Sequence, residues 1–354
     1  MMDYLKPRAE FYGMEFTTDS FNGMPYLFLG ESGCRVSKVG LGAWKYGYPE
    51  TKDGSRVDKK AAFKIFDRAI ELGVTHWDTA NRYNASSGNS ERLIGEWFKA
   101  NPDQRRNVVI ATKLFGMSDG RTPNHCSLGR INMLESTYAS LSRLQVEHID
   151  IMYFHSFDPV TPIEETLGAM ADLIRRDLVR YFAVSNFTVD NLKAYDRVTE
   201  KGFPIICAVQ NGFNILEGET GARLSAKGAL EYCAKTKKSH IAHGPLGRGM
   251  LTSRYLDLDK VGKGDRLFDE NIVKDKLTAE NQKKLKALAE LSRQWDMEIS
   301  QLTLAYTLTL PGMGPVIPGA TTLSQLESNA KAGTIELSDE QRQAVKKALW
   351  SATI

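Results

Sequence analysis

From about residue 36 to the C-terminus, short β-branched or apolar runs alternate with longer amphipathic stretches, and this alternation restricts the fold more than any other feature. The strand-like runs fall at 36–43, 75–80, 108–113, 149–155, 179–186, 205–213, 239–245 and 314–320. Between them lie helical patterns such as DKKAAFKIFDRAIELG, where Ala62, Phe66, Ala69 and Ile70 recur at helical spacing and Gly73 supplies a stop. Eight such units without a break predict an α/β fold of the (β/α)8 TIM-barrel type rather than a doubly wound sheet.

The remaining residues sit outside this repeat. PYLFLGESGCRVS predicts an N-terminal β-hairpin turning around Gly30 to Gly33, residues 253–280 form a polar excursion on the surface, and a helical C-terminal extension follows Gly333. No Pro- or Ser-rich linker divides the 354 residues, so residues 1–354 are expected to form one domain, with the hairpin at about 24–35 and the barrel at about 36–335.

Composition narrows the function classes. With 42% apolar and 25% charged residues the chain is expected to be globular, and a surplus of three positive charges is too small and too dispersed for nucleic-acid binding. The basic run Lys235, Lys237, Lys238 is expected to be a solvated helix end. No apolar run approaches the roughly 18 residues of a membrane span. The start MMDYLKPRAEFYG carries charges where a signal peptide is apolar, so a cytoplasmic protein is expected. The four cysteines are far apart, without a CxxC pair, and are expected to be reduced thiols.

In a barrel of this type the site lies at the carboxyl ends of the strands. There the second strand ends in Asp78, with Tyr83 five residues on; the third ends in Lys113 and the fourth in His155. Together they suit a proton-donor system. Lys113 as a cation is expected to lower the pKa of the Tyr83 phenol, Asp78 to hold the lysine, and His155 to orient a substrate oxygen. A metal-dependent hydrolase built on Asp78 and His155 would need a further ligand, for which only His76 shares the face of Asp78, so no metal is expected.

The chain resembles the aldo-keto reductase family. GLGAW (40–44), DTANRY (78–83), ATK (111–113), YFH (153–155), VSNF (184–187), QNGFN (210–214), GPLGRGML (244–251) and IPGATTLSQLESN (317–329) carry the resemblance, in the family's order. The long segment after GPLGRGML makes it more similar to the branch with bacterial general-stress reductases and potassium-channel β subunits. The resemblance implies NAD(P)H-dependent reduction of a small aldehyde, ketone or sugar carbonyl to an alcohol, or the reverse, with Tyr83 as general acid/base. The rival it leaves is a nicotinamide-sensing regulatory subunit with little turnover. The oligomeric state is not legible.

The resemblance also implies a set of cofactor contacts. Ser185, Asn186 and Gln210 would bind the nicotinamide carboxamide, and Phe213 would stack on the ring in place of the usual tyrosine. Gly42, Ala43 and Trp44 would line the cofactor's path, and Pro245, Leu246, Gly247, Gly249 and Leu251 would wrap the pyrophosphate. At the adenosine end stand Gly319, Thr321, Gln325 and Asn329. Thr321 replaces a common Arg or Lys and Ser328 a common acid, so NADP is favoured only modestly over NAD. Trp44, Tyr46 and Phe157 are expected to form an aromatic wall for the substrate.

Overall fold

Ser37 marks the corner at which the chain leaves its N-terminal hairpin and enters the main sheet. Its hydroxyl donates to Val39 O at 2.8 Å and accepts the amides of Thr75 and His76, both at 3.2 Å. The computed structural model describes residues 19–116, 118–220 and 226–350. The reading of the first eighteen residues lies outside them. Strands β1 (Ser20–Phe21), β2 (Met24–Phe28) and β3 (Arg35–Ser37) form an antiparallel sheet. The run 36–43, expected as one strand, is therefore two: its beginning pairs in the hairpin, and β4 (Leu41–Gly42) starts the barrel.

From β4 the sheet runs in parallel through β5 (His76–Asp78), β6 (Val109–Leu114), β7 (Ile149–Phe154), β8 (Val179–Ser185) and β9 (Ala208–Asn214). After β10 (Gly218–Thr220), which folds back antiparallel on β9, it continues through β11 (Ser239–His243) and β12 (Met313–Ile317). Parallel bridges Val39 to Val316 and Gly42 to Gly319 close the eight strands into a (β/α)8 TIM barrel. On its other side the start of β4 approaches β5 closely: a Cβ on Gly40 would stand 2.7 Å from His76 O, so glycine is required there.

Side-chain alternation divides each strand between two cores. The inward set includes Ala111, Ile151, Ala183, Ala208 and Ile241, and the hairpin residues Leu29, Cys34 and Val36 pack against it from below. Small residues in the middle of the barrel make room for that floor. The outward set packs on the helices. Asp58 caps helix Lys59–Glu71 by accepting the Ala61 amide at 2.8 Å, and the helix buries Ile65 and Phe66. Phe66 stacks on Trp77 of β5 with centroids 4.7 Å apart, and Trp97 lies 4.9 Å from Trp77 on the same side. Burying such rings is worth roughly 1.5–3 kcal/mol each, and it fixes the strand that ends in Asp78.

Residues 253–280 are more than a surface excursion. Tyr255 and Leu267 are buried, and the Tyr255 hydroxyl accepts the Leu267 amide at 3.1 Å. Ion pairs of Arg56 with Asp269 and of Arg248 with Glu270 tie the segment to loops on the carboxyl side of the barrel. Helix Leu323–Ala332 follows β12 within the barrel repeat, and helix Asp339–Trp350 forms the C-terminal extension. Among the described residues no helix is long and apolar enough to cross a membrane.

Candidate active site

The inward positions at the carboxyl ends of β5, β6 and β9 bring three polar side chains into the barrel mouth. Lys113 Nζ donates to Asp78 Oδ1 at 2.5 Å, to Thr79 O at 2.8 Å and to the Tyr83 hydroxyl at 3.1 Å. Gln210 Nε2 donates to the other carboxylate oxygen of Asp78 at 2.7 Å. Both partners of the ion pair are buried, which is tolerable because each lone pair and proton facing inward has a partner. The Tyr83 ring meets His155 edge-on with centroids 5.9 Å apart, and Trp44 lies 6.2 Å from Tyr83.

Burial dominates the electrostatics. It pushes the Tyr83 phenol well above its ordinary value, and the Asp78 charge adds to that rise. The expectation that Lys113 brings the phenol down is thus not met, because Asp78 stands beside the same hydroxyl at 3.5 Å and burial acts in its favour. The result is a phenol held protonated. Burial likewise lowers Lys113, against the pull of Asp78. It also lowers His155 well below the usual histidine range, helped by the charges of Lys113 and Arg82. A neutral imidazole therefore faces the phenol.

Two loops flank this cluster. After β11 the segment Gly244–Gly249 has positive φ at Gly244, Gly247, Arg248 and Gly249, and nothing lies within 4 Å of a Cβ placed on Gly244. After β8, Asn186 is also left-handed, with φ 58°, and its Nδ2 donates to His155 O at 2.9 Å and to Ser185 Oγ at 3.1 Å. Its Oδ1 is buried without a hydrogen-bond partner among the described residues.

The aldo/keto reductase family model matches residues 38–349 of this chain. The chain belongs to the aldo/keto reductase family. It is 32% identical to the aldo-keto reductase str7 of Strobilurus tenacellus over 92% of this chain and 91% of that protein. It is 28% identical to the L-glyceraldehyde 3-phosphate reductase of Escherichia coli K12, over 89% of each. It is also 29% identical to a probable voltage-gated potassium channel subunit beta of Arabidopsis thaliana, over 87% of this chain and 91% of that protein. Family membership makes the protein an oxidoreductase of small-molecule carbonyl compounds.

For an aldo/keto reductase mouth, several residues singled out in the sequence stand elsewhere. Phe213 has the outward parity of β9, opposite to Gln210, and its ring packs against His240 at 6.2 Å, away from the mouth. Leu251 is fully buried in the outer core. Tyr46 points into the core as well: it stacks on Phe66 and donates its hydroxyl to Ala320 O at 2.6 Å. Phe157 packs edge-on against Phe187 and Tyr195. Of the expected aromatic wall, Phe157 is half-buried and Trp44 is open, 43% exposed, with Lys45 and Arg266 over its ring. Gln210 is turned to Asp78 rather than free for a carboxamide.

The other candidates of this aldo/keto reductase lie along the mouth. Ser185 is inward and buried and Gly42 lies at the seam with β12, but Ala43 is fully buried in the outer core. Pro245 and Gly247 are buried within their loop, Leu246 and Gly249 half-buried. At the far end Gly319, Thr321 and Gln325 are exposed and Asn329 is buried. The Thr321 amide and hydroxyl both donate to Gln325 Oε1, at 2.7 and 3.0 Å.

Three residues of the site were missed in the sequence. His243 ends β11 just as His155 follows β7, and burial lowers it to about 4. The strand-end rule, applied to the seventh strand, names it. Asn84 is left-handed at φ 56° and donates to Tyr46 O at 2.5 Å, anchoring the turn that carries Tyr83. Arg82 stands at the rim before Tyr83.

Proposed function

We propose that the protein is an NAD(P)H-dependent reductase of a small aldehyde or ketone, sugar-derived carbonyls included, with Tyr83 as the general acid. The carrying observation is the Tyr83 phenol, held protonated by burial, with Lys113 Nζ 3.1 Å from its oxygen. A proton leaving that oxygen for a substrate carbonyl oxygen creates a phenolate, and the adjacent ammonium stabilises the charge where it develops. Asp78 keeps the ammonium in place and Gln210 keeps Asp78 in place. His155, neutral and edge-on to the phenol, is positioned to hold the substrate oxygen. The same groups serve the reverse reaction, with Tyr83 as base.

The residues present fit a nicotinamide nucleotide. Asn186 Oδ1 is a buried acceptor without a partner, suited to a carboxamide N–H, with Ser185 beside it. Left-handed Gly244, with nothing within 4 Å of a Cβ placed on it, leaves open backbone for a pyrophosphate in the Gly244–Gly249 loop, which also carries Arg248. When bound, the nucleotide supplies the hydride that reduces the carbonyl. Near Thr321 the recognition is by hydroxyls and by the start of helix Leu323–Ala332, which suits NADP with NAD as its competitor.

The E. coli relative is named for a phosphorylated aldehyde, which supports a small carbonyl substrate here. The free cysteines, three of them buried, suit a cytoplasmic setting. Titrating NADPH and NADH against intrinsic tryptophan fluorescence, followed by turnover on aldehydes, tests the reading. Binding of either with turnover is expected; no binding of either overturns it. Binding without turnover would instead favour a nicotinamide-sensing regulatory subunit; the likeness to a probable channel subunit beta supports a regulatory role only in that general sense.

A further inference from the structure

Arg82 immediately precedes Tyr83 and is exposed at the rim of the mouth. Its side chain lies over buried Gly116, after β6: a Cβ placed there would be 3.5 Å from both Cδ and Nη1 of Arg82. The guanidinium thus spans the loops that follow β5 and β6. Its charge acts on both Tyr83 and His155.

Among the described residues Arg82 is uncompensated, as is Arg121 in the loop after β6, but of the two only Arg82 adjoins Tyr83. Arg56 pairs with Asp269, Arg248 and Arg266 with Glu270, and Arg143 with Glu91 and Asp119. Acids on the loops it spans have other partners. Asp78 is held by Lys113 and Gln210, and Asp119, in the loop after β6, by Arg143. Among the described residues the Arg82 side chain has neither a hydrogen bond nor an ion pair. The loops that suit the nucleotide follow β11 and β12, whereas Arg82 sits over β5 and β6, so a cofactor phosphate is not its counterpart.

We propose that the mouth selects carbonyl compounds that carry an anionic group, phosphate or carboxylate, and that Arg82 is the residue that binds that group. The planar guanidinium offers paired N–H donors to either anion, and it does so beside the phenol that would protonate the carbonyl. This inference rests on the reductase reading above.

The test pairs substrates of equal length: glyceraldehyde 3-phosphate with glyceraldehyde, and 4-oxobutanoate with butanal. For the wild type, kcat/KM on the anionic member should exceed that on the neutral member by at least about ten-fold, and the excess should shrink as ionic strength rises. In Arg82→Ala the ratio should fall to near one, mainly through KM on the anionic member, while Arg82→Lys keeps part of it. A difference between the two pairs identifies which anion is preferred. Equal kcat/KM on both members in the wild type overturns the inference and leaves the reductase reading intact. An unchanged ratio in Arg82→Ala, or a loss of NADPH affinity in its place, also overturns it. No turnover of any aldehyde with either nucleotide overturns both.

Discussion

Gln210 and Lys113 grip the two oxygens of the same carboxylate from different strands: Gln210 Nε2 reaches Asp78 Oδ2 at 2.7 Å while Lys113 Nζ reaches Oδ1 at 2.5 Å. The amide therefore belongs to the apparatus that places Lys113 under the Tyr83 hydroxyl. Removing a hydrogen bond to a charged group costs about 1.5–3 kcal/mol. Gln210→Leu should accordingly lower kcat roughly ten- to a hundred-fold, with the nucleotide Kd changed by less than about five-fold. A variant that loses nucleotide affinity and keeps its kcat would instead assign Gln210 to the cofactor.

Tyr83→Phe removes the proton and leaves the ring. Its kcat should fall by about two to four orders of magnitude, whereas nucleotide binding by fluorescence should stay close to wild type. Full turnover in that variant would refute the assignment of the general acid.

Lys113→Met leaves Asp78 buried with its ammonium partner gone. Breaking a buried pair in this way costs about 3–5 kcal/mol, so this variant should show a lower urea midpoint as well as lost activity. Replacing both residues, Asp78→Asn with Lys113→Met, should recover much of the stability and none of the activity. Equal instability in the single and double variants would show that the pair's charges do not matter to the fold.

The pH dependence of reduction follows from the site's directions. The Tyr83 phenol lies well above 10 and His155 well below 6.5, so neither changes charge between about pH 6.5 and 9. In that window kcat/KM for reduction of a neutral aldehyde should vary by less than about three-fold. A limb centred near pH 7 would show that one of the two titrates in the working range.

Stability should respond to acid through histidines away from the mouth. His76 and His240 are fully buried without partners, at about 4 and about 3. Their folded values lie below the unfolded 6.5, so between these limits the unfolded chain binds protons that the folded chain refuses. Stability is therefore present near pH 7 and declines as pH falls below 6.5, by roughly 2 kcal/mol per histidine at pH 5. Urea unfolding at pH 7 and pH 5 measures it, and His240→Leu should reduce the difference by roughly 2 kcal/mol, with His243 and His155 contributing to what remains.

The barrel and the central part of its site were legible because strand alternation is a local property. Asp78 and Lys113 lie on strands whose hydrophobic neighbours fix their parity, so the sequence places them inward, as found. The same parity, counted from Gln210, would have put Phe213 outside the barrel, and the strand-end rule would have supplied His243. Tyr46 and Phe157 were not accessible in this way. They lie on loops, where direction is set by contacts with Phe66, Ala320, Phe187 and Tyr195 that are distant in sequence. The split of the first strand at Ser37 is likewise a tertiary effect, since the hairpin competes for its first residues.

The hairpin floor has a consequence for traffic. With Leu29, Cys34 and Val36 sealing the lower end, everything that reaches Tyr83 must come and go through one doorway. Under the proposed reading, a nucleotide seated against Ser185 and Asn186 and a carbonyl compound beside Tyr83 would share that doorway, and the guest nearer the rim would hinder the exit of the other.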